Sequence, residues 1–300
     1  MITMPAPSSE ETVTTPDGVK LHVERFIPRG VPVATLVFVH GFSTHIGTFR
    51  HLGRAFADAG FSTTLFDCRG HGQSEGRRGY VRRFDDFIAD LDLVLGGARG
   101  SNPALPLVLA GHSHGALICL EYLLETHKTG GKTGVKTPDR TARPSDVAAL
   151  ALAAPFFRLK KAVPLFKRAL AGPLGVLWPT LAMGNGITAD DVSRTSEAQA
   201  GFYADPLVHH VATSRWFNEV RAEQARLMAA APGLKTPTLM QLAGADRLIS
   251  NDTAHQFARA AGPIVEVRVY DNLFHELFLE PERDAVIAEL VRWIAAKLDV

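Results

Sequence analysis

Short apolar runs, several of which end at a glycine or a proline, alternate with helix-like segments along most of this chain. Continuous apolar runs are typical of strands buried on both faces, and helices that cross between such strands produce a parallel sheet. The pattern therefore predicts an α/β fold with a mostly parallel central sheet flanked by helices. The predicted strands are 20–26, 34–41, 61–67, 105–111, 147–155, 236–246 and 264–271. The predicted helices are 48–60, 84–95, 116–127, 251–262 and 280–298.

The alternation stops between residues 156 and 233, where large apolar residues follow helical spacing with proline breaks. We interpret this segment as a helical cap inserted into the sheet domain. The first part of the core is then 1–155, the cap is 156–233, and the second part of the core is 234–300. The stretch 128–146 is rich in Gly, Thr and Pro and is predicted to be a long surface loop.

Composition excludes several classes of protein. The formal net charge of +1 gives no global basic field, so we expect no nucleic-acid partner. The 2 cysteines do not indicate a disulfide framework. The polar N-terminal stretch lacks the basic and apolar regions of a signal peptide, and no apolar run is long enough to span a bilayer. These features favour a cytoplasmic protein.

The pattern G-x-S-x-G occurs twice, around Ser74 in "GHGQSEG" and around Ser113 in "GHSHG". A nucleophile elbow requires a strand that runs directly into the serine and a helix that leaves at once. Ser113 meets this requirement, because "LPLVLA" precedes its motif and "ALICLEYLL" follows it. A polar loop separates Ser74 from its strand, so Ser113 is the predicted nucleophile.

A serine hydroxyl needs a base, and the base needs an orienting acid. In folds with this elbow the chain order is serine, acid, histidine, which leaves His255 and His275 as candidates. His275 lies in a loop after a predicted strand, whereas His255 lies within a predicted helix, so we favour His275. For the acid we favour Asp246, which ends a predicted strand, over Asp271.

Charge that develops on a substrate oxygen requires two backbone N–H donors. One is expected from His114, the residue after the nucleophile, and the other from Phe42, in the loop "HGFSTH" after the second predicted strand. Because the backbone donates, both side chains are free to vary.

These residues carry a resemblance to the α/β-hydrolase fold and, within it, to the monoacylglycerol lipase and lysophospholipase group. The matching pieces are "HGFSTH", "GHGQSEG", "GHSHG", "ADPLV", "GADRLI" and "FHELFLEPE". The resemblance implies a cap above the site and makes Ser74 part of a structural loop. The chain departs from the group by having His114 where methionine is usual, by "FST" in the loop of Phe42, and by the length of 128–146.

The resemblance predicts a serine hydrolase of carboxylic esters, acting on monoacylglycerols or lysophospholipids without a metal or other cofactor. Hydrolysis of small esters, lactones or carbon–carbon bonds stays open, as does a non-catalytic ligand-binding protein on this fold. We expect the apolar cap residues to pack on the core, line an acyl tunnel or touch a membrane surface. They are Phe156, Phe157, Leu165, Phe166, Leu170, Leu174, Leu177, Trp178, Leu181 and Met183.

We predict that Ser113→Ala abolishes esterase activity while the fold survives. Loss of the nucleophile leaves only substrate binding and oxyanion stabilisation, so kcat should fall by several orders of magnitude. Ser74→Ala is the matched control and should keep substantial activity. Both variants are assayed with the same ester. A folded but inactive Ser74 variant, together with an active Ser113 variant, would make Ser74 the nucleophile instead of Ser113.

Overall fold

A computed structural model describes residues 4–124, 146–160 and 165–300, with the side chains of 165–170 left out. The predicted loop 128–146 lies outside these residues except for Asp146. All seven predicted strands are present, and three further strands join them. The strands are β1 (Ser9–Thr14), β2 (Lys20–Phe26), β3 (Ala34–Val39), β4 (Phe61–Phe66), β5 (Leu107–His112), β6 (Val147–Ala153), β7 (Ala182–Gly184), β8 (Val211–Thr213), β9 (Thr238–Ala243) and β10 (Val265–Tyr270).

One sheet contains eight of these strands in the order β1-β2-β4-β3-β5-β6-β9-β10. Pairing is antiparallel from β1 to β2 and from β2 to β4, and it is parallel across the rest of the sheet. The predicted α/β fold with a mostly parallel sheet is therefore confirmed. The carboxyl ends of β3, β5, β9 and β10 share one edge of the sheet, where ligands of open α/β sheets bind.

Five helices lie between or after the strands of the large sheet, and four lie in the segment between β6 and β9. They are α1 (Arg50–Asp58), α2 (Asp85–Ser101), α3 (His114–Leu124), α4 (Leu165–Leu177), α5 (Ala189–Val192), α6 (Ser196–Ala204), α7 (Ser214–Ala230), α8 (Asn251–Ala261) and α9 (Arg283–Leu298). Short 3-10 helices occupy Ile46–Phe49, Ala231–Gly233 and Leu277–Leu279. Within the described ranges no helix is long and apolar enough to cross a membrane.

Helix α2 continues well past the predicted end at residue 95. The sequence favours a stop there, because two glycines follow and glycine weakens a helix by about 1 kcal/mol. Acidic Asp85 and Asp86 in the first turn and Arg99 in the last turn complement the helix dipole. Buried Leu95 and Ala98 continue its apolar face, so packing against the core extends the helix.

The predicted cap contains α4 to α7 and a two-stranded antiparallel ribbon of β7 and β8 that the sequence pattern did not indicate. Both ribbon strands have only three residues, too few for a visible alternation of polar and apolar positions. Helix α7 is joined to the core by Arg215, which donates to the carbonyl of Arg82 (2.9 Å), and to the start of the cap by Gln224, which donates to the carbonyl of Phe156 (2.8 Å). Arg226 of the same helix pairs with the buried Glu121 of α3.

Strand β1 was also missed by the sequence pattern. Its residues "SEETVT" are almost all exposed, so they lack the hydrophobic alternation that marks a half-buried strand. The strand forms instead through its ladder with β2 and lies at the edge of the sheet. Charged residues on an edge strand also protect it from pairing with other chains.

Candidate active site

Ser113 sits in the tight turn between β5 and α3, with a backbone φ of +52°. This left-handed conformation costs a non-glycine residue about 1–3 kcal/mol. The turn is possible because two flanking residues have no side chain. A Cβ on Gly115 would lie 2.1 Å from the carbonyl oxygen of Val39 and 2.5 Å from that of His40, and one on Gly111 would lie 2.7 Å from the backbone of Gly115. The helix can therefore approach the sheet only with glycine at these positions.

The structure brings Ser113, His275 and Asp246 together. Ser113 Oγ lies 2.9 Å from His275 Nε2, and His275 Nδ1 lies 2.7 Å from Asp246 Oδ2. Asp246 is held in turn, because its Oδ1 accepts from the backbone N–H groups of Leu248 (2.8 Å) and Ile249 (2.9 Å). An ionised Asp246 places the imidazole proton on Nδ1 and leaves Nε2 free to accept the hydrogen of Ser113.

The charges in this group support that assignment of protons. Burial would raise the pKa of Asp246, but the charge and hydrogen bond of His275, with two backbone N–H donors, lower it below its ordinary value. Burial would lower the pKa of His275, but the carboxylate of Asp246 outweighs burial and raises it. Asp246 is therefore ionised at neutral pH, and His275 is a stronger base than a free imidazole.

Of the two predicted donors to an oxyanion, His114 directly follows Ser113 in the chain, whereas Phe42 lies in the loop after β3. Helix α3 begins at His114, so its first N–H groups have no partner within the helix, and the helix dipole favours a negative charge there. Phe42 lines the same cavity as Ser113 and His275. These positions are compatible with donation by both backbone N–H groups to an oxyanion. That role stays a prediction.

A histidine at position 114 is unusual for the lipase group that the sequence resembles. The side chain of His114 is 1% exposed and surrounded by aromatic rings. Burial lowers the pKa of His114 to about 3, so the ring is neutral. Its imidazole therefore packs as an aromatic ring behind the turn and adds no charge to the site. The rings within 6 Å of it, centre to centre, are Phe42, Phe84, Phe87 and Trp216.

Three more buried histidines lie near the loop of Phe42. Burial lowers the pKa of His40 to about 3, that of His209 to about 4, and that of His71 well below its ordinary value. Around neutral pH these histidines are therefore uncharged, and none of them has the raised pKa of His275.

Three residues that the sequence put forward as alternatives lie outside this group. Ser74 is buried in the loop after β4, where its Oγ donates to the carbonyl of Asp67 (2.6 Å) and accepts from the N–H of His22 (2.8 Å). Asp271 is exposed, and His255 lies half-buried in α8. The structural role predicted for Ser74 agrees with these contacts.

Sequence reasoning missed His112, which directly precedes Ser113. Its ring is fully buried, and Nε2 donates to the backbone carbonyl of His275 at 3.1 Å. The side chain thus fixes the loop that carries His275 to the strand that carries Ser113. A polar residue at the end of an otherwise apolar strand was the only signal in the sequence, and it does not reveal its partner.

A cavity of about 1390 Å³ opens at Ser113 and His275. Its walls are mostly apolar and include Phe156, Leu159, Trp216, Phe217, Leu248 and Ile249. Residues of the predicted cap thus supply much of the lining.

The apolar residues that we expected in the cap fall into several environments. Phe156 and Met183 line the cavity, whereas Phe157 stacks on Phe257 of α8 at 4.7 Å and belongs to the core. Leu177 and Trp178 point to solvent instead, with 83% and 59% of their surface exposed. Leu174 and Leu181 are half-buried. The side chains of Leu165, Phe166 and Leu170 lie outside the described residues.

Among the described side chains, no group of three or more His, Cys, Asp or Glu residues could hold a metal ion.

A strained serine between a central strand and a helix, joined to a histidine and a carboxylate at the carboxyl edge of the sheet, defines an α/β hydrolase. The family model described as serine aminopeptidase, S33, matches residues 30–282. The chain therefore belongs to this family of α/β hydrolases.

Known proteins are similar over nearly the full length of the chain. A monoacylglycerol lipase of Mycolicibacterium smegmatis is 30% identical over 97% of this chain and 98% of its own length. Phospholipase YtpA of Bacillus subtilis is 26% identical over 85% of this chain and 92% of its own. A solved soluble variant of monoglyceride lipase from Saccharomyces cerevisiae, in complex with a substrate analogue, has a TM-score of 0.82 at 18% identity, with coverage of 99% and 97%. The last likeness shows the fold, and together the matches confirm the resemblance to the monoacylglycerol lipase group.

The raised pKa of His275 predicts the pH dependence of hydrolysis. A general base works when deprotonated, so kcat/KM should rise with pH to a plateau, with a midpoint above about 6.5, the ordinary imidazole value. In Asp246→Asn the carboxylate that raises this pKa is lost. The midpoint should fall, and the plateau should drop by about 10⁴-fold because the imidazole is held in the wrong tautomer. Rate profiles from pH 5 to about 9 for both proteins test this, and an unchanged midpoint in the variant would contradict the role of Asp246.

Proposed function

We propose that the protein hydrolyses monoacylglycerols, with Ser113 as nucleophile, His275 as general base and Asp246 as the carboxylate that orients the imidazole. The observation that carries the proposal is the hydrogen-bonded chain of these side chains, with links of 2.9 Å and 2.7 Å, at an apolar cavity. The chain is related to a lipase and to a phospholipase, and it is a serine hydrolase of carboxylic esters.

Acylation begins when Ser113 Oγ attacks the ester carbonyl carbon while His275 Nε2 takes the serine proton. The carbonyl electron pair moves onto oxygen, where the backbone N–H groups of Phe42 and His114 stabilise the negative charge. The tetrahedral intermediate collapses as the alcohol oxygen leaves with the proton held by His275. Water then attacks the acyl-enzyme by the same route and releases the fatty acid.

The substrate class follows from the shape and polarity of the cavity. Its apolar walls suit one acyl chain, and residues 156–233, which we propose to act as a cap, cover the site from above. A triacylglycerol would bring two further chains that a covered site has no room for. Glycerol, in contrast, is small and polar. Lysophospholipids, which also carry one acyl chain, are the second candidate, favoured by the similarity to a phospholipase.

Labelling with a fluorophosphonate probe tests the proposed nucleophile, because only an activated serine reacts rapidly. The wild type should be labelled, and Ser113→Ala should not. An unlabelled wild type would favour the non-catalytic alternative. Monoacylglycerol and lysophosphatidylcholine with the same acyl chain, assayed side by side, then separate the two candidate substrates.

The apolar cavity predicts a preference for long acyl chains. Each buried CH₂ contributes about 0.8 kcal/mol, so kcat/KM for glycerol monoesters should rise about three- to fourfold per carbon until the cavity is full. Ala171 lines the cavity and is buried. Ala171→Phe should remove room for two to three CH₂ groups and cost roughly 10- to 40-fold with long esters, while acetate hydrolysis stays nearly unchanged.

Trp178→Ala is the matched control for this series, because Trp178 is exposed and lies outside the cavity. We expected from the sequence that Trp178 would line an acyl tunnel, which its position contradicts. With substrates below their aggregation limit, this variant should keep the chain-length preference. A flat or falling wild-type series would instead promote the small-ester alternative.

We also propose that the cap touches membrane surfaces through the end of α4. Three consecutive apolar residues are exposed there: Val176 (74%), Leu177 (83%) and Trp178 (59%). Large exposed apolar side chains on one surface are typical of interaction sites. The substrate class partitions into membranes, so contact at the cap would bring the cavity to its substrate. The cytoplasmic location inferred from the sequence stays a prediction.

Replacing Val176, Leu177 and Trp178 together by serine should weaken binding to phosphatidylcholine vesicles by about tenfold or more, since each buried side chain contributes on the order of 1 kcal/mol. Hydrolysis of a dissolved short-chain ester should not change. Tyr203→Ser is the control, because this cap residue is equally exposed (64%) but lies on α6. Equal losses in both variants, measured by vesicle co-sedimentation, would rule out a specific role for the end of α4.

A further inference from the structure

We propose that Asn185 and Asp205 of the cap are positioning residues that hold the loop 41–45 in the shape needed to donate to the oxyanion. This inference rests on the proposed function. Its starting point is the conformation of Ser43, which is 2% exposed and has a φ of +72°. Such a conformation costs a non-glycine residue about 1–3 kcal/mol and persists only where neighbouring groups impose it.

The cap supplies hydrogen bonds to Ser43 itself. Asn185 Nδ2 donates to Ser43 Oγ at 2.8 Å, and the backbone N–H of His209 donates to the carbonyl of Ser43 at 3.1 Å. Asn185 is fixed in its own turn, since its Oδ1 accepts from the N–H of Ile187 (3.1 Å). Both polar groups of Ser43 are therefore held from the cap side.

A second link joins the cap to His45 at the end of the loop. His45 Nδ1 accepts from the backbone N–H of Gly47, so the imidazole hydrogen lies on Nε2. Nε2 then donates to Asp205 Oδ2 at 2.9 Å. The other oxygen of Asp205 accepts from the N–H of Leu207 (2.8 Å), which orients the carboxylate.

The side chain of Phe42 makes the third link. Its ring stacks on Trp216 of α7 at 3.8 Å between centres, and the ring of His209 meets it edge-on at 5.0 Å. Phe42, Ser43 and His45 therefore each contact the cap, by three different kinds of interaction.

Among the described residues, the core forms hydrogen bonds at the two ends of the same loop and to Thr44, and its His71 and His114 rings lie within 6 Å of the Phe42 ring, but it forms no hydrogen bond to Ser43. At one end His40 Nδ1 donates to the carbonyl of Gly41 (2.7 Å). At the other, the N–H of Ile46 donates to Asp67 Oδ1 (2.8 Å). Without its cap contacts the loop would stay attached at both ends, while Phe42 and Ser43 could relax toward ordinary backbone angles. The N–H of Phe42 would then turn away from the substrate oxygen, so the cap sets the geometry of the donor.

Asn185→Ala should therefore lower kcat about three- to tenfold, the worth of one hydrogen bond, with little change in KM for a monoester. Gln199→Ala is the matched control, because this cap amide donates within the cap, to the carbonyl of Ser193 (2.9 Å). Gln199→Ala should keep the wild-type kcat. In a Ser43→Ala background Asn185→Ala should have no further effect on kcat.

Two inhibitors separate a positioning role from a loss of structure or of cavity wall. Ser113 Oγ adds to the carbonyl carbon of an acyl trifluoromethyl ketone while His275 takes the serine proton. The ketone oxygen becomes negative and lies at the proposed oxyanion donors. An alkyl glycerol ether fills the cavity without forming such an oxygen. Asn185→Ala and Asp205→Ala should weaken the ketone by the factor lost in kcat, and leave affinity for the ether unchanged. Asp205→Asn keeps one acceptor oxygen where the carboxylate has two, so it should restore part of the kcat and part of the ketone affinity lost in Asp205→Ala.

Wild-type ketone affinity in Asn185→Ala and Asp205→Ala would overturn the inference. Equal losses for ketone and ether would also overturn it, because these two residues, which line the cavity, would then act only through its shape. Melting temperatures confirm that each variant is folded. Failure of the wild type to hydrolyse monoesters would overturn the proposed function as well. The wild type is assayed first, so this failure is distinguished from a failure of the positioning role.

Discussion

The contact between helix α3 and the backbone of β3 governs the rest of this structure. Because Gly115 lies directly against the carbonyl oxygens of Val39 and His40, α3 starts within one residue of the end of β5. Ser113 is therefore forced into its left-handed conformation and raised above the sheet edge. The same contact places the start of α3 beside the loop that follows β3, so it positions both the proposed nucleophile and the proposed oxyanion donors.

Histidines in this protein divide into two electrostatic classes that burial alone does not distinguish. His40, His114 and His275 are all buried, yet the pKa of the first two falls to about 3, while that of His275 rises. The difference is the carboxylate of Asp246, which compensates the cost of a charge in a low-dielectric interior. Of these three buried histidines, His275 is the one whose imidazole stays basic.

The sheet and the residues proposed for catalysis could be predicted because their signals are local. Runs such as 34–41 are long and apolar, and the elbow of Ser113 joins strand to helix without a spacer. Strand β1 and the β7–β8 ribbon were not predicted, because they form through pairing with partner strands and their own residues carry no strand pattern. The exposure of Trp178 and the contacts of Asn185 with Ser43 also depend on distant segments meeting, which spacing along the chain does not encode.

The membrane contact that we propose for the exposed end of α4 would have a kinetic consequence. An enzyme docked through Val176, Leu177 and Trp178 draws its substrate from a plane rather than from a volume. Its turnover then follows the number of substrate molecules per unit area of the bilayer. Adding inert lipid would slow it at constant bulk substrate, since the same molecules spread over more surface. For such an enzyme the composition of the membrane takes the place that concentration has in solution.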